Sequence, residues 1–206
     1  MQQALPLIAR EGSGRLFSIR RADPPFLALQ EKILLRDQST CQFCGFRTRL
    51  YLEIVNIDGD FRRNQASNLA AACPFCTQCF FLEEIGKTDA TGGVLIHAPE
   101  MSQGQVNALC HQLFLSMVSN GLCATESRTL YRSLKGRSQR VEKVVGEGLS
   151  NPARYGRLLI EANSEGSRAL HHKICQHVRL LPDFMNFSAR VVAWMEEGIQ
   201  AMTALT

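Results

Sequence analysis

Cys41-Gln42-Phe43-Cys44-Gly45 and Cys73-Pro74-Phe75-Cys76 are the two stretches on which the reading of this chain turns. Each places two thiols three residues apart, and Gly45 and Pro74 suit the tight turns that bring both sulfurs to one side. Two such knuckles supply four thiolates, which match the tetrahedral preference of Zn2+ and leave no open position for water. The expected cofactor is one structural zinc ion held by Cys41, Cys44, Cys73 and Cys76. Closing the intervening loop costs chain entropy, but a zinc–thiolate site is worth on the order of 10 kcal/mol in small zinc peptides and outweighs it. Cys76-Thr77-Gln78-Cys79 repeats the same spacing, so Cys76/Cys79 is an alternative second pair. Cys73/Cys76 is preferred because Cys79 falls inside a predicted helix. A redox role lacks the βαβ context that such motifs need.

Outward from the knuckles, the first is preceded by a predicted helix. Asp23 is its expected N-cap, Pro24 its first residue, and Phe26, Leu29 and Ile33 recur at helical spacing. Residues 15–20 read as a strand ahead of it. Residues 50–57 read as a strand broken by the turn Asp58-Gly59-Asp60, and a polar loop over 61–68 leads to the second knuckle. Residues 79–85 read as a helix that ends at Gly86. Beyond them a short strand is expected over 94–97. Ser102 and Gln105 then form a capping-box signature ahead of the apolar face Val106, Leu109, Cys110, Leu113, Phe114, Met117 and Val118. Further helices are predicted over 126–134, 138–145, 152–162 (with Asn151 as N-cap) and 188–202, with loops at 146–150 and 164–167. The fold class is α+β. A zinc-centred portion, residues 1–97, packs with a helical portion, residues 98–206, in one unit.

Composition limits the classes of function. Among the 206 residues, 45% are hydrophobic and 20% charged, as in an ordinary globular chain and unlike a disordered one. No apolar run approaches the roughly 20 residues needed to cross a bilayer, and the first residues lack the pattern of a signal peptide. The expectation is a cytoplasmic protein that is not membrane-inserted. There thiols stay reduced, so the paired cysteines read as metal ligands rather than disulfides. A net charge of +4 tolerates a polyanionic partner without demanding one.

Arg36-Asp37, Thr40-Cys41, Cys44-Gly45, Leu52 to Ile57, Ser67-Asn68-Leu69 and Cys73 to Cys76, taken together, resemble the HNH endonuclease pattern over residues 36–85. That resemblance implies two zinc knuckles around a β-hairpin and helix, the ββα-metal module. It also implies an Asp-His pair at the end of the first strand, which binds a divalent cation and removes a proton from water. Val55 and Asn56 stand there instead. Valine binds no cation, and an amide has no basic lone pair with which to act as general base. The expectation is no enzyme and no catalytic residue. A divergent metal-dependent nuclease, or a nucleic-acid-binding zinc protein, is the alternative. Asn68 matches the family's middle asparagine, and Thr77 stands where an Asn or His is common. Asp58 and Asp60 read as a turn in preference to a cation site.

A second resemblance covers nearly the whole chain. Arg20-Arg21-Ala22-Asp23-Pro24, Cys41 to Phe46, Val55 to Gly59, Ala72 to Glu83, Tyr131 to Lys135 and Gly146 to Pro152 look like the IcmJ (DotN) family of Dot/Icm type IVB secretion systems. This implies a non-catalytic subunit of a type IV coupling complex. It would bind the C-terminal tail of the coupling ATPase DotL, alongside DotM and the IcmS–IcmW pair, and help recruit effectors. Its place would be cytoplasmic, peripheral at the inner membrane, with no nucleic acid bound.

Other features have plainer readings. The basic stretch Arg128, Arg132, Lys135, Arg137, Arg140 and Lys143 reads as a solvated helix face interspersed with acids, in preference to an anion dock. His171, His172 and His177 lack metal-ligand spacing, and His97 and His111 read as core or surface residues. Cys110, Cys123 and Cys175 read as buried thiols.

Overall fold

The computed structural model describes residues 3–119, 121–161 and 176–203. Helices α1 (Ser13–Arg20) and α2 (Pro24–Arg36) open the chain. Residues 15–20 are therefore helix and not the expected strand. Phe17 and Arg20 turn inward, and a three-residue inward spacing belongs to a helical period. Pro24 begins α2, and Phe26 and Ile33 are its buried residues.

Strands β1 (Glu53–Asn56) and β2 (Leu69–Ala72) pair antiparallel, with Val55 opposite Ala70 and Asn56 opposite Leu69. The sequence reading had no strand over 69–72, because alanine is a poor strand former. Here the small side chains let both faces of the strand be covered. Leu69 and Ala71 pack with Ile54, Phe26 and Ile33 under α2. Ala70 and Ala72 join Val55 and the cysteines in the main core. The C-terminal end of α2 is tied to β2 by two neighbours. Arg36 donates to the carbonyl oxygens of Ala66 (2.8 Å) and Leu69 (2.6 Å), and Asp37 accepts from Ala71 N at 2.8 Å.

Helix α3 (Pro74–Thr77) follows directly, so the order through the knuckles is strand, strand, short helix. Residues 79–85 are not one helix but two 3₁₀ turns, Gln78–Phe80 and Leu82–Glu84. They bend around the close approach of a later helix, α7 (Pro152–Glu161), where Gly156 lies so near Leu82 and Glu83 that a Cβ would stand 2.6 Å from Glu83 N.

A second antiparallel pair joins β3 (Gly93–His97) to β4 (Val178–Pro182), with Leu95 opposite Leu180. It thus links segments on either side of residue 97. β4 was not expected from sequence. The free edge of β3 is covered by the loop before α7, since Leu95 N donates to Ser150 O at 2.8 Å. Glu142 holds that loop by accepting from Gly148 N and, at 3.0 Å, from Ser150 N.

Helix α4 (Gln103–Ser119) begins in the expected capping box: Gln105 N donates to Ser102 Oγ (3.2 Å), and Ser102 N donates to Gln105 Oε1 (2.7 Å). Helices α5 (Ala124–Gly136) and α6 (Ser138–Val145) follow. Asn151 Oδ1 caps α7 through Arg154 N at 3.0 Å. The last helix, α8 (Phe184–Thr203), starts earlier than expected and lays Phe187, Val191 and Trp194 into the main core. Tyr131 pins its start, donating to Pro182 O (2.9 Å) and accepting from Phe184 N (3.2 Å). No helix among the described residues is long and apolar enough to cross a membrane.

Candidate metal centre

The first knuckle is a tight hairpin. Thr40 and Arg47 form a single bridge across it, Cys41 N donates to Phe46 O (2.9 Å), and Gly45 N donates to Cys41 O (2.9 Å). Gly45 has φ of 78°, a left-handed conformation that glycine adopts without steric cost. Gln42 N donates to Ala71 O at 2.9 Å, so the hairpin is sewn onto β2, which runs straight into the second knuckle. There Cys73 precedes α3, and Cys76 N and Thr77 N both donate to Cys73 O.

These two turns bring Cys41, Cys44, Cys73 and Cys76 together, all buried, with their sulfurs within 4.8 Å of one another. Cys44 Sγ and Cys73 Sγ are 3.7 Å apart. Sulfurs about 2.3 Å from a tetrahedral zinc are separated by roughly 3.8 Å, so the spacing suits the ion. Cys79 lies outside the group. Its sulfur faces Phe75 O at 3.4 Å, and burial pushes its thiol pKa up. The electrostatics of the cluster also point to a cation. Burial opposes ionisation of Cys41, yet hydrogen bonds from the Cys44, Cys73 and Cys76 thiols hold its pKa well below the ordinary thiol value. Burial, and then hydrogen bonding with Cys41, push Cys73 and Cys76 well above that value. A divalent cation would offset two of the four negative charges that the thiolates carry.

Helix α4 forms the back wall of this centre. Gln103, Asn107 and His111 recur every four residues, so they share one helix face. Asn107 Nδ2 donates to Cys76 Sγ at 3.2 Å, and His111 Nε2 lies 3.3 Å from Cys73 Sγ. Gln103 Nε2 donates to Asn107 Oδ1 (2.9 Å) and to Leu180 O (2.8 Å). The imidazole is sandwiched between Phe46 and Phe75, with ring centroids 3.7 and 4.2 Å away, and burial draws its pKa down to about 3. It is neutral, and in its Nε2–H tautomer it would donate to the Cys73 sulfur. Groups of this kind orient metal ligands and temper their charge. Helix and knuckle are almost in contact at Gly104, where a Cβ would stand 2.4 Å from Phe43 O. The sequence reading had treated His111 as a core or surface residue and passed over Asn107. Their signal was the four-residue spacing of polar groups along an otherwise apolar helix face.

Val55 and Asn56, where the HNH pattern places its reactive pair, are both fully buried. Asn56 Nδ2 donates to Asp60 O (2.9 Å) and Arg63 O (2.7 Å), while Arg20 donates to Asn56 Oδ1 and to Ile54 O. The Arg20 guanidinium stacks near Phe26 (4.4 Å) and Phe61 (4.7 Å). Burial lowers its pKa to about 10 against the pull of Glu53, so it stays charged at neutral pH. Asp58 pairs with Arg63 at 2.8 Å and accepts from Asp60 N, and Asp60 pairs with Arg62 at 3.0 Å. Asp58-Gly59-Asp60 is a turn whose carboxylates already have partners. Asn68 braces it, donating to Asp58 Oδ1 at 2.9 Å.

In the basic stretch, Lys135 pairs with Asp183 at 3.0 Å and Arg137 pairs with Glu100. Cys110 is buried as expected, whereas Cys123 is exposed, because it sits in the turn that starts α5. His171, His172, Cys175 and the loop over 164–167 lie outside the described residues.

Fold and site together define a small α+β protein organised around a buried four-cysteine cluster fit to hold a metal ion. No family model matches the sequence. The type 4 apparatus protein DotN of Legionella pneumophila is 43% identical to it over 196 residues, covering 95% of this chain and 91% of the relative. The chain belongs to the DotN (IcmJ) family.

Proposed function

We propose that this chain is a non-catalytic, zinc-stabilised subunit of a Dot/Icm type IV coupling complex. In this reading it binds the C-terminal tail of the coupling ATPase DotL, in company with DotM and IcmS–IcmW, and helps recruit effectors at the cytoplasmic face of the inner membrane. The observation that carries it is the identity to DotN across nearly the whole length of both chains. The ion held by Cys41, Cys44, Cys73 and Cys76 is zinc, a reading supported by the all-thiol donor set and the 3.7 Å sulfur spacing. It holds the knuckles and has no open coordination position for a substrate.

The strand–strand–helix order running from the first knuckle through the second supports an HNH-like module, and the surroundings of Asn56 support loss of its chemistry. A general base must reach water or substrate. Asn56 is buried, is an amide, and hydrogen-bonds through both ends of its side chain. Pull-down of this protein by the DotL tail, with zinc quantified in the same sample, is the test. The expected result is a complex with one zinc per chain and no cleavage of plasmid DNA in magnesium or manganese. A folded, zinc-loaded protein that ignores the tail would overturn the partner. DNA cleavage abolished by Asn56→Ala would overturn the non-catalytic reading.

A further inference from the structure

Helix α1 starts without a cap. Its N-cap residue is Gly12, which has φ of 75° and no side chain to offer the first turn. Gly12 is third in a turn closed by Ser13 N donating to Arg10 O at 3.2 Å, a type II geometry that calls for glycine. A capping side chain ordinarily accepts from the second or third amide of a helix. Here Gly14 N and Arg15 N have no acceptor among the described residues, so two donors stay open at the positive end of the helix.

Beside them lies a cleft of about 510 Å3 between α1 and the turn at Gly59. Ser13 lines it. This residue is only 6% exposed, and its hydroxyl has no hydrogen-bond partner among the described residues. Thr77 Oγ1 and Gln78 Nε2 are unpaired too, but they are sealed from solvent; the Ser13 hydroxyl keeps accessible surface, and the cleft is what Ser13 borders. Three arginines stand around this point: Arg10, Arg15 and Arg62. Arg62 is engaged with Asp60 at 3.0 Å. Arg10 and Arg15 are exposed and form no ion pair among the described residues. Arg10 rests against the turn, since a Cβ on Gly59 would stand 3.8 Å from Arg10 Cζ. Two guanidinium groups thus face Glu11, the one carboxylate of the lining left without a cationic partner among the described residues.

We propose that this cleft binds a phosphate group. Gly14 N, Arg15 N and the Ser13 hydroxyl donate to its oxygens, and the Arg10 and Arg15 guanidinium groups balance its charge. Open amides and the helix dipole suit the first turn of a helix to phosphate, and arginine matches phosphate oxygens through paired N–H donors. A phosphate offers more acceptor oxygens than a carboxylate and can serve all of these donors. Past the arginines the cleft follows Leu16 and Ile19, 39% and 58% exposed, which leaves room for an apolar body attached to the phosphate. The same chemistry is offered by a free phosphate and by an anionic lipid headgroup. A nucleic acid fits less well, because it would carry successive phosphates past Glu11 and Asp60. The site goes beyond the partner-binding reading and does not depend on it.

The test takes the full chain at constant ionic strength with two probes. One is inorganic phosphate, followed by NMR chemical shifts; the other is phosphatidylcholine vesicles with or without phosphatidic acid, followed by flotation. Saturable binding of inorganic phosphate is the result expected for a free phosphate, and binding of the phosphatidic acid vesicles alone is that expected for a lipid headgroup. Arg15→Glu should weaken either one at least tenfold, because a charge facing the phosphate is reversed. Ser13→Ala should weaken it several-fold and leave the ligand-free thermal midpoint unchanged, since the hydroxyl bonds nothing in the free chain. Arg132→Glu, an exposed arginine of α5 outside the cleft, should leave binding as it is in wild type. Binding of neither probe would overturn the proposal. Equal loss with Arg132→Glu, or full binding by both Arg15→Glu and Ser13→Ala, would do the same.

Discussion

Two buried polar centres lie on either side of the β1–β2 hairpin, and they solve the problem of burial in different ways. The Arg20–Asn56 centre is largely complete in itself. One guanidinium, one amide and a few carbonyls satisfy one another, and three aromatic rings face the charge. The four-thiol centre is incomplete. On α4, Asn107 donates to one sulfur and His111 lies against another, but no cationic side chain among the described residues balances four thiolates. One centre keeps its cation as a side chain. On the zinc reading proposed above, the other takes its cation from solution, and stability depends on metal supply only there.

The sharpest way to break that comparison is to remove the ion. Cys76→Ser, or prolonged treatment with a strong zinc chelator, should cost most of the stability, because a structural zinc–thiolate site contributes about 10 kcal/mol or more. The check is loss of the cooperative thermal transition together with loss of bound zinc. Cys79→Ser should keep the full zinc content, since its sulfur faces Phe75 O. Zinc lost with Cys79 and retained with Cys73→Ser would reverse the ligand assignment.

Removing the resident cation should do less. Arg20→Ala leaves Asn56 Oδ1 and Ile54 O without their donor, and should lower stability by about 3 kcal/mol with zinc content unchanged, as read by urea denaturation. Equal damage to zinc binding would show that the two centres are not independent. Asn107→Leu and His111→Phe should leave the zinc stoichiometry at one and weaken zinc affinity about 10–100-fold in competition with a chromogenic chelator. The smallest expected effect is Ser102→Ala, which removes the cap of α4 and should cost about 1 kcal/mol in thermal unfolding without altering zinc affinity.

Much of this architecture was legible in the chain, and for local reasons. The knuckles were visible because their ligands are near neighbours in sequence, and α4 because a capping box and a long apolar face announce it. What escaped notice depended on distant partners. Residues 15–20 look β-prone one by one, but Phe17 and Arg20 are needed inside, over Phe61 and Asn56, and only a helix presents both. The run Leu69-Ala70-Ala71-Ala72 reads poorly as a strand until two packed faces leave room only for alanine. β4 exists because β3, far back in the chain, supplies its ladder. The donors Asn107 and His111 gain meaning only once α4 crosses behind Cys73 and Cys76, an alignment that no short window of sequence contains.

Gly104 carries a consequence for how this protein tolerates change. With hydrogen alone filling the gap to the Phe43 carbonyl, position 104 behaves as a feeler gauge between the long helix and the Cys41–Cys44 turn. Even a methyl group there would act as a wedge, lifting both sulfur-facing donors off their targets at once. A substitution that looks trivial in sequence would thus strike the four-cysteine cluster from a distance, without touching a single one of its sulfurs.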